Sequence, residues 1–349
     1  LSAEADPRTR TVREPSEPAR EKLTVGRWAP SPTGDLHLGN LRTALLAWLF
    51  ARSADGRFLW RFEDLDSAVR APFYDSQLRD VAALGLDWDG EPLRQSNRLD
   101  IYRDAVADLR RRGLTYECFC TRREIAEAAA APHEQSPEGA YPGTCRRLTR
   151  REREQRRTEG RPPALRLRVE TAANAGNASC AEMRTPETAA STATLQVAVV
   201  DRQLGQYRGV VDDFVLQRGD GTPAYNLAVV VDDAAQGVTE VVRADDLLPS
   251  TPRQVHLARL LGIKPPSYAH VPLVLGLEGD RLAKRDGAVT LPDRLKLGES
   301  PLDIVNLLLT SLDLDPLTTL DGLAETAQHF DPETLPRQPW VYEPPAQNA

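Results

Sequence analysis

Lysine is nearly missing from this chain. Only Lys22, Lys264, Lys284 and Lys296 occur in 349 residues, and arginine supplies the remainder of the 44 positive charges. An ammonium on a flexible stem differs chemically from a planar guanidinium, so each lysine that is present carries extra information. No apolar run approaches the roughly 18–20 residues needed to cross a bilayer, which excludes a membrane-spanning helix. Residues 1–23, "LSAEADPRTRTVREPSEPAREKL", have no hydrophobic centre. That excludes an ordinary secretory signal and reads as a disordered extension, and a cytoplasmic location is expected. Cysteine is scarce, at four, and disulfides are disfavoured in a reducing cytosol. A net charge of −7 argues mildly against a nucleic-acid binder.

What is present is a globular composition, 41% hydrophobic and 27% charged, in a length suited to one large or two to three ordinary domains. The charge is segregated. Residues 145–157, "CRRLTRREREQRR", hold seven arginines against two glutamates, whereas 201–246 is acidic. A run of this kind is most often a solvated helix face.

"LTVGRWAP" reads as a short buried strand ending at Pro30. "HLGNLRTALLAWLFARSADG" places Leu38, Leu41, Leu45 and Leu49 on one helical stripe, with Gly56 as a stop. "RFLWRFED", 57–64, reads as the next strand. Strand, helix and strand within about 40 residues predict a parallel βαβ unit. Ligands of such sheets sit beyond the carboxyl ends of the strands. "APSPTGDLHLG", 29–39, falls at that tip, where helix N-terminal amides favour phosphate. Gly39 would let a flat base approach the backbone, and His37 would donate to a phosphate oxygen. For "HLGN" alone, an ordinary loop with a capping histidine is the commoner explanation, since short motifs match by chance.

The longer stretch decides between them. "RWAPSPTGDLHLGNLRTALLAWLFAR", 27–52, resembles the first signature of the class I glutamyl-tRNA synthetases, with His37-Leu38-Gly39-Asn40 in place of "HIGH". "RFEDLDSAVR", 61–70, "GTPAYNLAVVVDD", 221–233, and "GVTEVVRADDLLPSTPRQ", 237–254, resemble later family blocks, and "RLAKRDGAV", 281–289, resembles the "KMSKS" loop. The blocks fall in family order. The resemblance implies an α/β fold: a Rossmann-like catalytic domain with an inserted zinc-knuckle subdomain and a short helical C-terminal extension. The corresponding division is a disordered extension (1–23), a first half of the catalytic domain (24–115), an insertion (116–200), a second half (201–275), and the mobile loop with the extension (276–349).

It also implies activation of L-glutamate by ATP with Mg²⁺. Carried over residue by residue, Arg27, Trp28, Ala29, Pro30, Ser31, Glu63, Tyr225 and Arg243 match glutamate-binding positions. His37, Gly39, Asn40 and Lys284 match ATP-binding positions, and His37, Gly39 and Lys284 the catalytic ones. An amino acid with two carboxylates needs guanidinium forks, and its ammonium needs an acid such as Glu63. Which arginine takes the γ-carboxylate stays open. In the loop, Ala283 stands where serine is frequent and Arg281 where lysine is, with Arg285 as a candidate compensation.

"CFC", 118–120, and "YPGTC", 141–145, cluster three cysteines, and zinc wants four ligands. The family supplies Cys118, Cys120, Tyr141 and Cys145, with His133 as the competing fourth ligand. The basic run 145–157 is then a candidate RNA-contact surface. Cys180 lies in 171–194, which reads as a mobile insertion. Thr251, Pro252, Gln254 and Gly262 read as N-cap, N1, N3 and terminator of a scaffold helix, and His256 and His270 as packing or surface residues.

After Lys284 only 65 residues follow, too few for a domain of ordinary size to read an anticodon. "SPLDIVNLLLTSLDLD", 300–315, reads as one helix and "QPWVYEPPAQNA" as irregular. The resemblance is therefore to the truncated glutamyl-Q paralogue of that family, which places glutamate on queuosine at position 34 in the anticodon loop of tRNA(Asp). The alternatives are a shortened enzyme charging a tRNA 3′ end, a non-catalytic RNA-binding relic, or a nucleotidyltransferase using the same turn. Nothing points to oligomers, and a monomer is expected.

Overall fold

The computed structural model describes residues 23–121, 123–125, 141–169, 194–283, 286–287 and 289–344. Strand β1 (Val25–Trp28) is buried at every position, and α1 (Leu38–Arg52) leads to β2 (Arg57–Phe62), which lies parallel to β1 with Val25 opposite Arg57. The expected βαβ unit is therefore present. Two features of it differ from the sequence reading. Helix α1 is buried nearly all round, Trp48 and Phe50 included, because helices from the C-terminal region cover the side that the sheet leaves free. Gly56 does not stop the helix, which ends at Arg52. It permits close packing instead, since a Cβ there would fall 2.5 Å from the Thr24 carbonyl oxygen.

Helix α2 (Pro72–Ala83) and the short β3 (Leu93–Arg94), parallel to β2, complete the first sheet, in the order β1-β2-β3. After α3 (Leu99–Arg111) the chain enters a smaller antiparallel sheet. It contains β4 (Thr115–Cys118), β5 (Ala164–Leu167) and β8 (Val215–Gln217), with the exposed α4 (Arg150–Thr158) between the first two in sequence. The hairpin β6 (Leu195–Asp201) and β7 (Gly205–Val211) joins β9 (Glu240–Ala244) and β10 (Ser267–Val271) in a second large sheet, ordered β7-β6-β10-β9. Helix α5 (Tyr225–Ala235) precedes β9, and α6 (Thr251–Leu260) lies between β9 and β10.

The two large sheets meet at β1 and the start of β9. Thr239 N–H donates to the Val25 carbonyl at 2.9 Å, and Val25 N–H to Thr239 Oγ1 at 2.9 Å. The carboxyl ends of β1, β2, β9 and β10 therefore open on one edge. The architecture is α/β with mixed sheets.

Thr251 is the first residue of α6 and not its cap, because its hydroxyl is taken by Arg243 and His270. Gln254 likewise turns away to donate to Asn226. Gly262, at φ +70°, does end that helix. The C-terminal region holds β11 (Val274–Leu275), α7 (Leu291–Lys296), α8 (Pro301–Thr310), α9 (Leu323–His329) and β12 (Trp340–Val341). The segment 300–315 is thus helical only to Thr310. The end expected to be irregular forms β12, which pairs with β11. The expectations for residues 1–22, His133, Cys180 and nearly all of 171–194 lie outside the described residues, as do Lys284 and Arg285.

Candidate active site

A cavity of about 680 Å³ opens at the shared strand edge. It is lined by Arg27 and Trp28 at the end of β1, by Ala29, Pro30 and Ser31 just after it, and by His37, Gly39 and Asn40 at the start of α1. Glu63 after β2, Tyr225 at the head of α5 and Arg243 on β9 complete the set that the sequence singled out within the described residues.

The turn into α1 is held by reciprocal bonds. His37 Nδ1 accepts from Gly39 N–H at 3.1 Å, and Asn40 Oδ1 accepts from His37 N–H at 3.2 Å. The neutral His37 ring therefore carries its proton on Nε2, as a donor. Gly39 has a nearer reason to be glycine than the approach of a base. A Cβ there would meet the His37 ring at 3.0 Å and Val274 Cβ at 3.4 Å.

Beneath the cavity lies an array of buried charge. Arg27 Nε donates to Asp233 Oδ1 at 3.3 Å and its Nη1 to the Val242 carbonyl at 3.2 Å. Arg61 reaches the same Asp233 oxygen at 2.7 Å, Gln236 Oε1 at 2.8 Å and Glu63 Oε1 at 3.3 Å. Burial pulls the Arg27 guanidinium below its ordinary range despite Asp233. Burial also acts to lower Arg61, but Asp233, Glu63 and Asp232 outweigh it and leave Arg61 raised. Glu63 is pushed above the usual glutamate value, chiefly by burial and against the pull of Arg61 and Arg27. Asp233 is equally buried, yet Arg61 and Arg27 hold it below the ordinary carboxylate range.

Arg243 is anchored differently. Its Nε donates to His270 Nε2 at 3.1 Å, its Nη2 to Thr251 Oγ1 at 2.9 Å, and its Nη1 to the Tyr225 hydroxyl at 3.2 Å. His270 in turn contacts Asp201 Oδ2 at 2.6 Å through Nδ1. These are the contacts that sequence reasoning missed. Arg61 had a readable signal, because the two-residue period of a strand puts it on the same face as Glu63. Asp233 had a weaker one, as an acid ending the apolar run "NLAVVV". His270, expected as a packing or surface residue, is buried and bonded to both Arg243 and Asp201.

Arg281, at the start of the loop expected to carry Lys284, lines the cavity and pairs with Asp246 at 2.7 Å. In the small sheet, Cys118, Cys120 and Cys145 bring their sulfurs within 4.8 Å of one another. The Tyr141 hydroxyl stands 3.3 Å from Cys118 Sγ and 3.7 Å from Cys120 Sγ. A tetrahedron of ligands about 2.3 Å from zinc has edges of about 3.8 Å, so the donor set and its spacing fit that ion.

A family model described as tRNA synthetases class I (E and Q), catalytic domain, matches residues 24–311. The fold, the turn at His37 and the buried arginines thus belong to a class I synthetase catalytic domain. A glutamate tRNA ligase from Elizabethkingia meningosepticum, solved in complex with its amino acid, superposes with a TM-score of 0.72 at 25% identity, covering 93% of this chain and 67% of that one. A Glutamyl-Q tRNA(Asp) synthetase from Nocardia farcinica is 58% identical over 317 residues, covering 91% of this chain and 92% of that protein. Another, from Cutibacterium acnes, is 51% identical over 86% of this chain and 81% of that protein. The chain belongs to the glutamyl-Q tRNA(Asp) synthetase family. A Glutamate--tRNA ligase from Coprothermobacter proteolyticus is 38% identical and is covered over only 64% of its length.

Proposed function

We propose that the chain activates L-glutamate with ATP, without tRNA, and transfers the glutamyl group to queuosine at position 34 of tRNA(Asp). One observation carries the amino-acid specificity. Around the cavity floor, Arg27 and Arg61 pair with two carboxylates, Asp233 and Glu63, and Arg243 adds a third guanidinium bonded to Tyr225. The array is one positive charge in excess. Glutamate brings two carboxylates and one ammonium, a net charge of −1, and balances it. Glutamine is neutral overall and would leave a desolvated guanidinium under-paired, which favours strong discrimination.

In this reading Glu63 receives the ammonium and Arg27 and Arg243 the carboxylates, with Trp28 to Ser31 shaping the pocket between them. His37, Gly39 and Asn40 face the nucleotide. The α-carboxylate attacks the α-phosphate in line, and pyrophosphate leaves. Positive charge on the departing group lowers that barrier, a role for Lys284. Mg²⁺ accompanies the ATP phosphates. Cys118, Cys120, Cys145 and Tyr141 would hold one zinc ion, which would cross-link this small lobe without entering the reaction. The arginines of α4 form the surface for the RNA backbone.

The test has two arms. Glutamate is expected to drive ATP–pyrophosphate exchange in the absence of tRNA, and Arg27→Ala to lower kcat/KM for glutamate by roughly 100-fold. Labelled glutamate on tRNA(Asp) should map to the anticodon loop. Label at the 3′ end would instead identify an ordinary charging enzyme.

A further inference from the structure

We propose that His270, fixed by Asp201, is a positioning residue that aims the Arg243 guanidinium at the substrate carboxylate. The inference rests on the reading above, in which Arg243 contacts glutamate.

The strand register supplies the geometry. His270 on β10 lies directly opposite Arg243 on β9, and Asp201 ends β6 beside Tyr268. A guanidinium has only donors, so the Arg243 Nε–H bond at 3.1 Å requires His270 Nε2 to accept. The imidazole is then neutral, with its proton on Nδ1, donating to Asp201 Oδ2 at 2.6 Å. Asp201 is itself held by backbone donors. Its Oδ1 accepts from Gln203 N–H and Leu204 N–H, each at 3.0 Å, and the His270 N–H contacts both carboxylate oxygens at 3.2 Å. Both His270 and Asp201 side chains are fully buried. The groups around the ring oppose one another: burial, first, and the Arg243 cation favour the neutral ring, while Asp201 and Asp245, just past β9, favour the charged one; the net direction is toward neutral, and the Tyr268 ring stacks at 6.1 Å.

The contrast with Arg27 shows what the arrangement achieves. Arg27 is fixed by a carboxylate that it shares with Arg61, so its anchor also offsets part of its charge. Arg243 has no carboxylate within ion-pair distance among the described residues. Its Nε and Nη2 are fixed by a neutral ring and a hydroxyl, while Nη1 points to Tyr225 on the cavity wall. The histidine orients the cation and leaves its charge for a ligand.

Glutamate-dependent ATP–pyrophosphate exchange tests this with His270→Leu, which cannot accept, and His270→Gln, whose amide oxygen can. His270→Leu is expected to raise the KM for glutamate roughly 10- to 100-fold while the KM for ATP holds. His270→Gln should recover most of the loss. Unchanged glutamate KM in folded His270→Leu, or glutamate and ATP KM rising together, overturns the positioning role. Should His270→Leu fail to fold, nitrogen-15 imidazole spectra of the native protein decide. The expected signature is a buried neutral ring protonated at Nδ1; an Nε2–H tautomer or an imidazolium overturns the inference. Absence of glutamate-dependent exchange in the native enzyme would instead sink the functional reading itself.

Discussion

Glu63 lines the cavity beside Arg61 and Arg27, and its protonation is expected to set a pH limit on glutamate binding. Burial raises its pKa above the usual 4.5 of a glutamate side chain. The proposed substrate ammonium needs the ionised form. As pH falls through the raised value, Glu63 takes up a proton and the ammonium loses its anion. The KM for glutamate, measured with saturating ATP, is therefore expected to climb at a pH above 4.5. Glu63→Gln should lower kcat/KM by roughly 100-fold and flatten that acid limb. A variant that keeps the native pH profile would remove Glu63 from the ammonium site.

Much of this residue set was readable from the chain, and the unread part has a common cause. Arg27 and Glu63 lie at strand ends beside turn signals, where local pattern gives position. Asp233 reaches Arg27 across 206 residues of sequence, and His270 reaches Asp201 across 69. No periodicity reports such pairings. A lone histidine within an apolar strand has the same appearance whether it only packs or accepts a hydrogen bond from an arginine.

Among elements, α4 is the one whose sequence and placement both point outward. Thr149 caps it, accepting from Glu152 N–H while Glu152 reaches back, and none of its residues is buried. Arg157 is tied to Glu117 and Glu154, and Arg156 to Glu159. Arg150, Arg151 and Arg153 have no ion-pair partner among the described residues, so they are the cations suited to phosphate. Reversing them together (Arg150→Glu, Arg151→Glu, Arg153→Glu) is expected to cut transfer to RNA and spare tRNA-independent exchange. The salt dependence of RNA binding should flatten by roughly two to three units of logarithmic slope. Equal loss in both assays would mean a folding defect and not a lost docking surface. The helix α1 teaches the opposite lesson. Its leucine stripe was plain, but its second buried face depends on helices more than 250 positions later in the chain, and only the tertiary structure reveals them.

At the scale of the molecule, the small sheet shares Leu165, Leu167 and Leu216 with the core of the second large sheet, but the cysteines around it form a separate cluster. That cluster consists of Tyr116, Cys118, Phe119, Tyr141 and Cys145. So few apolar side chains make a weak core, and a bound metal would supply what packing does not. Protein purified without chelators is expected to carry one zinc per chain, and Cys120→Ser to lose it with a lower Tm. Exchange driven by glutamate should survive, because the cavity draws on other strands. Metal content near zero by elemental analysis would reject the site.

The two-residue strand β12 has a practical side. It runs beside β11, whose Val274 carbonyl receives Leu282 N–H at 2.9 Å and whose Leu275 bridges to Arg281. Strand β12 is thus stitched to the same short rung that holds Arg281 and Leu282, where the loop proposed to carry the catalytic lysine begins. A fluorophore inserted directly after Tyr342 is expected to loosen that rung and slow glutamate-dependent exchange, whereas one placed ahead of β1 is expected to leave the rate unchanged.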